Sequence, residues 1–250
     1  RLLAPLVDHA RLEPVWQTEA VLRTPESVVY DPRRGELYVS NFNLGFDPAA
    51  TDPAQFTGFL SRLGLDGTIL EREWVTPLKA PAGICLDGNT LWVAERGAVA
   101  QVDVARGAVV ARIPLPDSDF LNDIVIAEDG SLYLTDTRTA NPADSRIYRV
   151  AGGQVSVWAG APDIRRANGL CRDGGRLIVG NSGDGLLKAI DLASKRIEPI
   201  AALGGGIQDG IRVTPAGELL VSHWEGKIFS VAPGGRGVEI ADLKAAGQNA

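Results

Sequence analysis

Residues 122–135 read NDIVIAEDGSLYLT and residues 168–180 read NGLCRDGGRLIVG. Each is a short apolar strand, a glycine-containing turn and a second apolar strand, the pattern of a β-hairpin. The pattern recurs at 26–40 (ESVVYDPRRGELYVS), 82–94 (AGICLDGNTLWVA) and 209–222 (DGIRVTPAGELLVS). The five hairpins begin at 26, 82, 122, 168 and 209, so the gaps are 56, 40, 46 and 41 residues. Each gap leaves room for two more strands. An outer pair is visible at 58–70 (GFLSRLGLDGTIL) around Asp66-Gly67, and segments 100–104, 146–150, 187–191 and 227–231 take the same phase in later repeats. Four strands per unit of about 40–45 residues is the signature of a β-propeller blade.

This periodicity predicts an all-β propeller over residues 1–250, a single domain in which residues 1–14 are an N-terminal extension. Five blades are evident and a sixth is incomplete. The long first gap implies an inserted loop at 43–57, and residues 12–21 (LEPVWQTEAV) read as one further strand. An unfinished blade would leave strand edges unpaired.

Composition narrows the function. The chain is 45% hydrophobic, enough for a sizeable core. Its formal charge of −6 argues against a nucleic-acid binder. The apolar runs are far shorter than a membrane span requires. Cys85 and Cys171 cannot make a disulfide framework, and two histidines cannot make a histidine-rich metal site. Sharing one phase two blades apart, the cysteines read as small buried thiols. No G-x-S-x-G elbow is present, so a serine nucleophile has no sequence support. The chain has no methionine, and the apolar stretch RLLAPLV at its start reads as the remnant of an export signal. A periplasmic or secreted location is favoured over the cytoplasm on that ground.

In a propeller the innermost strand of each blade lines a central channel. The residue before that strand lies in a loop at the channel mouth, and here those residues are Glu26, Ala82, Asn122, Asn168 and Asp209. Four of the five carry oxygen and converge from distant parts of the chain. Hard oxygen donors suit Ca²⁺, Mg²⁺ or Mn²⁺, and two carboxylates would neutralise a divalent ion. Asn-Gly and Asp-Gly pairs are also ordinary turn formers, but Glu26 is not a turn residue. A second set ends the hairpins' return strands on the same face: Asn41, Glu95, Asp136, Asn181 and His223-Trp224, an outer polar ring. Trp92, Tyr38 and Tyr133 share one phase and read as core.

The hairpins opening PESVVYD (25–31), FLND (120–123), ANGL (167–170) and QDGI (208–211) resemble the regucalcin/gluconolactonase family. The resemblance implies a six-bladed propeller with a divalent metal at the channel mouth, hydrolysing lactones or related esters. It implies Glu26, Asn168 and Asp209 as metal ligands, Asp209 also as general base, and Asn122 as the residue contacting substrate or water. The ion it implies is Ca²⁺ first, with Mg²⁺, Mn²⁺ or Zn²⁺ as further candidates. Two departures stand out: Ser27-Val28 replaces the family's Gly-Pro after the glutamate, and Phe120 replaces an arginine. Phe120, Glu95, Asp136, Asn181 and Trp224 are the expected substrate contacts. A metal-dependent hydrolase of a small-molecule lactone or ester is the leading expectation. The alternative is a non-enzymatic, NHL-like propeller whose ion is structural and whose Phe120 and Trp224 belong to a binding surface.

Overall fold

The computed structural model describes residue 12, residues 14–43 and residues 57–244. They form five antiparallel four-stranded sheets. Blade one comprises β1 (Pro25–Asp31), β2 (Glu36–Asn41), β3 (Thr57–Gly64) and β4 (Ile69–Lys79). Blade two comprises β5 (Ile84–Asp87), β6 (Thr90–Glu95), β7 (Ala98–Asp103) and β8 (Ala108–Pro114). Blade three comprises β9 (Leu121–Ile126), β10 (Leu132–Asp136), β11 (Arg146–Ala151) and β12 (Gln154–Ala159). Blade four comprises β13 (Ala167–Asp173), β14 (Arg176–Asn181), β15 (Leu186–Asp191) and β16 (Ile197–Ala202). Blade five comprises β17 (Gln208–Val213), β18 (Leu219–His223), β19 (Lys227–Val231) and β20 (Gly237–Asp242). Every blade is a meander, so strand order follows sequence order. Among the described residues no helix is long and apolar enough to cross a membrane.

The core lies between blades. Tyr38, Leu60 and Val75 of blade one pack on Leu91, Val93 and Val102 of blade two. Cys85 and Trp92 join Ile124, Leu132 and Leu134, while Tyr133, Ile147 and Trp158 meet Leu170, Leu177 and Val179. Cys171 and Ile178 pack on Ile211, Leu219 and Val221. Alternation along each strand sends one side-chain set to the preceding blade and the other to the next. Both cysteines are free. Burial pushes the Cys171 thiol up to about 12, as expected of an inert packing thiol.

Inner strands abut in sequence: β1 with β5, β5 with β9, β9 with β13 and β13 with β17. Among the described residues no sixth blade is formed. Val28 and Tyr30 on β1 are about half exposed. The strand expected at 12–21 is not one: residues 14–19 are irregular, and a turn follows at 20–21. Trp16 lies against the β3–β4 turn, where a Cβ on Gly67 would stand 2.5 Å from the indole. Tertiary packing of this aromatic outweighs strand pairing, which Pro14 also weakens by lacking an N–H donor. Most of the expected 43–57 loop and of the 1–14 extension lies outside the described residues.

Candidate functional site

Each inner strand that carries one of the expected site residues starts with an irregularity. In blade one Pro25 pairs with Asn41 and Val28 with Val39, so Glu26 and Ser27 together face Ser40. Asn122 and Asp123 face Thr135 in the same two-against-one way. Asn168 and Gly169 face Gly180, and Asp209 and Gly210 face Ser222. These are β-bulges, which bend a strand and re-aim its side chains. The amide left unpaired by three of the bulges is taken by a hydroxyl across the hairpin. Ser27 N–H donates to Ser40 Oγ (3.0 Å), Asp123 N–H to Thr135 Oγ1 (3.0 Å) and Gly210 N–H to Ser222 Oγ (2.9 Å).

The bulges also let neighbouring inner strands touch. A Cβ on Gly169 would stand 1.5 Å from the Asp209 carbonyl oxygen, so only glycine permits this approach. Gly83 N–H donates to the Asn122 carbonyl at 2.6 Å. Thr135 Oγ1 donates to the Asn168 carbonyl at 2.6 Å. The bulged segments of blades three, four and five are thus held against one another, at the end where the inner strands begin.

Glu26, Asn122 and Asp209 line one cavity of about 360 Å³, with Asp123, Arg212, Val28, Leu220 and Ile228 completing its wall. Asn168 is not among the lining residues; its neighbour Gly169 abuts the Asp209 backbone. Glu26 Oε2 and Asn168 Oδ1 are buried and have no hydrogen-bond partner. Unmet buried oxygens are costly, and each calls for a cation or a tightly held donor. Burial holds the Glu26 carboxyl well above its usual range, and the charges of Asp209 and Asp123 add to this. Burial, then Asp123 and Glu225, raise Asp209 to about 6.

Asp123 was not expected at the site. It is buried, and each of its oxygens accepts a backbone amide: Ile124 N–H to Oδ1 and Leu170 N–H to Oδ2, both at 2.8 Å. It therefore ties the Asn122 strand to the Asn168 strand. Among the described residues no group of three or more His, Cys, Asp or Glu side chains is arranged to hold an ion. The set here is two carboxylates and one amide oxygen, with Asp123 spent on backbone. The unmet oxygens of Glu26 and Asn168 beside Asp209 fit a hard divalent cation.

The outer polar ring behaves differently from its expectation. Asn41, Glu95, Asp136 and Asn181 are buried and clasp the loop leading into their own blade's inner strand. Asn41 Oδ1 accepts Arg23 N–H (2.9 Å), Glu95 Oε2 accepts Lys79 N–H (2.9 Å) and Asn181 Oδ1 accepts Arg165 N–H (2.7 Å). Asp136 Oδ1 accepts Phe120 N–H at 2.9 Å, and its Oδ2 accepts Asp119 N–H at 3.2 Å. Glu95, Asp136 and Asn181 thus spend oxygens on the scaffold because those loops would otherwise bury unpaired amides. Phe120 packs edge-on against Phe42 (5.8 Å, 61°) with Ala80, an apolar patch on the same end. Trp224 is 54% exposed.

A propeller with a cavity where its inner strands begin, in which Glu26, Asn122, Asp123 and Asp209 meet an apolar wall, defines the class. The chain belongs to the family of the SMP-30/gluconolactonase/LRE-like region, whose model matches residues 24–249. Three solved structures share the fold. The nidogen/laminin complex contains a chain with TM-score 0.65 and 16% identity, over 84% of this chain and 76% of that one. Regucalcin from Agrobacterium tumefaciens, described as a calcium-binding protein, gives 0.64 and 19%, over 87% and 73%. A structural-genomics target assigned to the gluconolactonases gives 0.62 and 22%, over 88% and 78%. A search of curated proteins finds no match.

Proposed function

We propose that this protein is a divalent-metal-dependent hydrolase of a lactone or related small-molecule ester. The observation that carries the reading is the buried, unpartnered oxygens of Glu26 and Asn168, each on a bulged inner strand like that of Asp209. Membership of a family that includes the gluconolactonases supports the substrate class. Glu26, Asn168 and Asp209 would hold the ion, Ca²⁺ in the first instance. When bound, the ion supplies Lewis-acid polarisation of the ester carbonyl.

The chain's own groups supply the rest. Asp209 would accept a proton from the attacking water. That proton then passes to the departing alkoxide, which restores Asp209 without a covalent enzyme intermediate, while the acid product releases its own proton to solvent. Asn122, 5% exposed on the cavity wall, orients the water or the substrate oxygen by hydrogen bonding. Val28, Leu220 and Ile228 give the cavity an apolar side against which a ring can rest. The test is a pH-stat assay on five- and six-membered sugar lactones, with and without chelator. Turnover that stops on chelation and returns with Ca²⁺ supports the reading, and turnover that survives chelation defeats it.

A further inference from the structure

Blades one and three carry the same three residues in the same places. Tyr38 on β2 is cross-strand from Arg62 on β3, with Trp74 on β4. Tyr133 on β10 is cross-strand from Arg149 on β11, with Trp158 on β12. Each trio borders a groove toward the following blade, of about 510 Å³ for the first and 480 Å³ for the second. The second groove includes the β9–β10 and β13–β14 turns, where the inner strands end. It therefore opens at the opposite end of the propeller from Glu26 and Asp209.

The two grooves differ in how their cations are satisfied. In the first, Arg62 is gripped by both oxygens of Glu36 (2.9 and 2.7 Å), and Arg34 pairs with Asp31 at 2.9 Å. Tyr38 stacks on one face of Trp74 at 4.9 Å and 17°, and the Arg62 guanidinium stands 5.7 Å from the centre of the same ring. In the second, Arg149 Nη2 reaches Asp129 (3.0 Å) and Ser131 (2.8 Å), but its Nε has no partner. Arg172 pairs with Glu128 at 2.8 Å, and that glutamate is 82% exposed. Among the described residues Lys195 has no carboxylate partner. Its ammonium stands 5.7 Å from the centre of the Trp158 ring. Tyr133 meets Trp158 edge-on at 4.9 Å and 76°, which leaves a ring face to that cation. Gly174 and Gly175 line the groove and have nothing within 4 Å of where a side chain would start. Val157 and Leu192 make its apolar side.

We infer that the groove between blades three and four is a second binding site, for a small organic anion with an aromatic or apolar body. Three cations (Arg149, Arg172 and Lys195) face two carboxylates (Glu128 and Asp129), a local excess of positive charge on a chain of net charge −6. A carboxylate is the partner that Lys195 lacks, and charge-assisted bonds of this kind are the stronger ones. The ligand's body would rest on Val157, Leu192 and the Trp158 edge.

The test is an NMR titration of the ¹⁵N-labelled chain with benzoate, following the Trp158 indole N–H, assigned by its loss in Trp158→Phe. Saturable displacement is expected with a dissociation constant of about 1 mM or tighter. Benzamide, the neutral isostere, should be at least roughly tenfold weaker, as should benzoate on Lys195→Gln, whose site is an exposed turn. Arg149→Lys tests the second cation with the charge kept, and Lys227→Gln in blade five should change nothing. Each spectrum also reports whether the variant is folded. No saturable displacement up to about 20 mM overturns the inference. So does equal binding of benzamide, or unchanged affinity in Lys195→Gln.

Discussion

Removing the charge of Asp209 should stabilise the metal-free protein. Burial, with Asp123 and Glu225 adding, raises its carboxyl from the ordinary 3.8 to about 6. The native state therefore binds a proton that the unfolded chain has already released between those two values. Stability of the ion-free protein falls as pH climbs through that window. By pH 7.5 the penalty for an ionised Asp209 has reached about 3 kcal/mol. Asp209→Asn keeps the volume and deletes the charge. For a chain of this size each kcal/mol shifts Tm by about 2–4 °C, so the variant should melt roughly 6–12 °C higher in chelator at pH 7.5. At pH 5 the gain should fall to about half. Ca²⁺ at a thousand times its Kd should reverse the order, because it adds about 4.1 kcal/mol to a chain that binds it, more than the variant's gain of about 3 kcal/mol. Differential scanning calorimetry at both pH values, with chelator and then with Ca²⁺, gives all the numbers. A variant no more stable than the parent in chelator at pH 7.5, or an equal gain at both pH values, would refute the electrostatic reasoning.

Other substitutions separate scaffold from site. Asp136→Ala leaves the Asp119 and Phe120 amides without their carboxylate acceptor and should cost about 2–4 kcal/mol. Denaturant melts should show that loss while turnover per folded molecule persists, whereas Asp209→Ala should abolish turnover. Asp123→Asn gives up one of two backbone acceptors linking the Asn122 and Asn168 strands. It should weaken Ca²⁺ binding about tenfold by calorimetry without unfolding the chain. Gly169→Ala drives a methyl group into the Asp209 carbonyl and should destabilise by about 3 kcal/mol or more in urea unfolding.

The blades were legible because hairpins announce themselves locally. Turns such as Asp87-Gly88 and Asp129-Gly130 punctuate apolar runs, and each gap had room for an outer pair. The irregular segment at 14–19 was misread because Trp16 finds its place only in three dimensions, against Gly67. At the site, the phase of Glu26, Asn122, Asn168 and Asp209 was visible, but the bulges that turn them were not, since pairing register is a tertiary property. Asp123 left a signal that went unused. Its phase carries Ser27, Gly83, Gly169 and Gly210 in the other repeats, so a carboxylate there is the exception. The outer ring shows the converse limit. Phase placed Asn41, Glu95, Asp136 and Asn181 together, yet could not tell a solvent-facing oxygen from one bonded to its own blade's entry loop.

Crystals grown with Mn²⁺ and measured for anomalous scattering would test the oxygen-lined centre most directly. A single strong peak is expected, about 2.0–2.6 Å from side-chain oxygens of Glu26, Asn168 and Asp209 together. Featureless density there, with the glutamate and asparagine oxygens satisfied by water or by each other, would contradict the account.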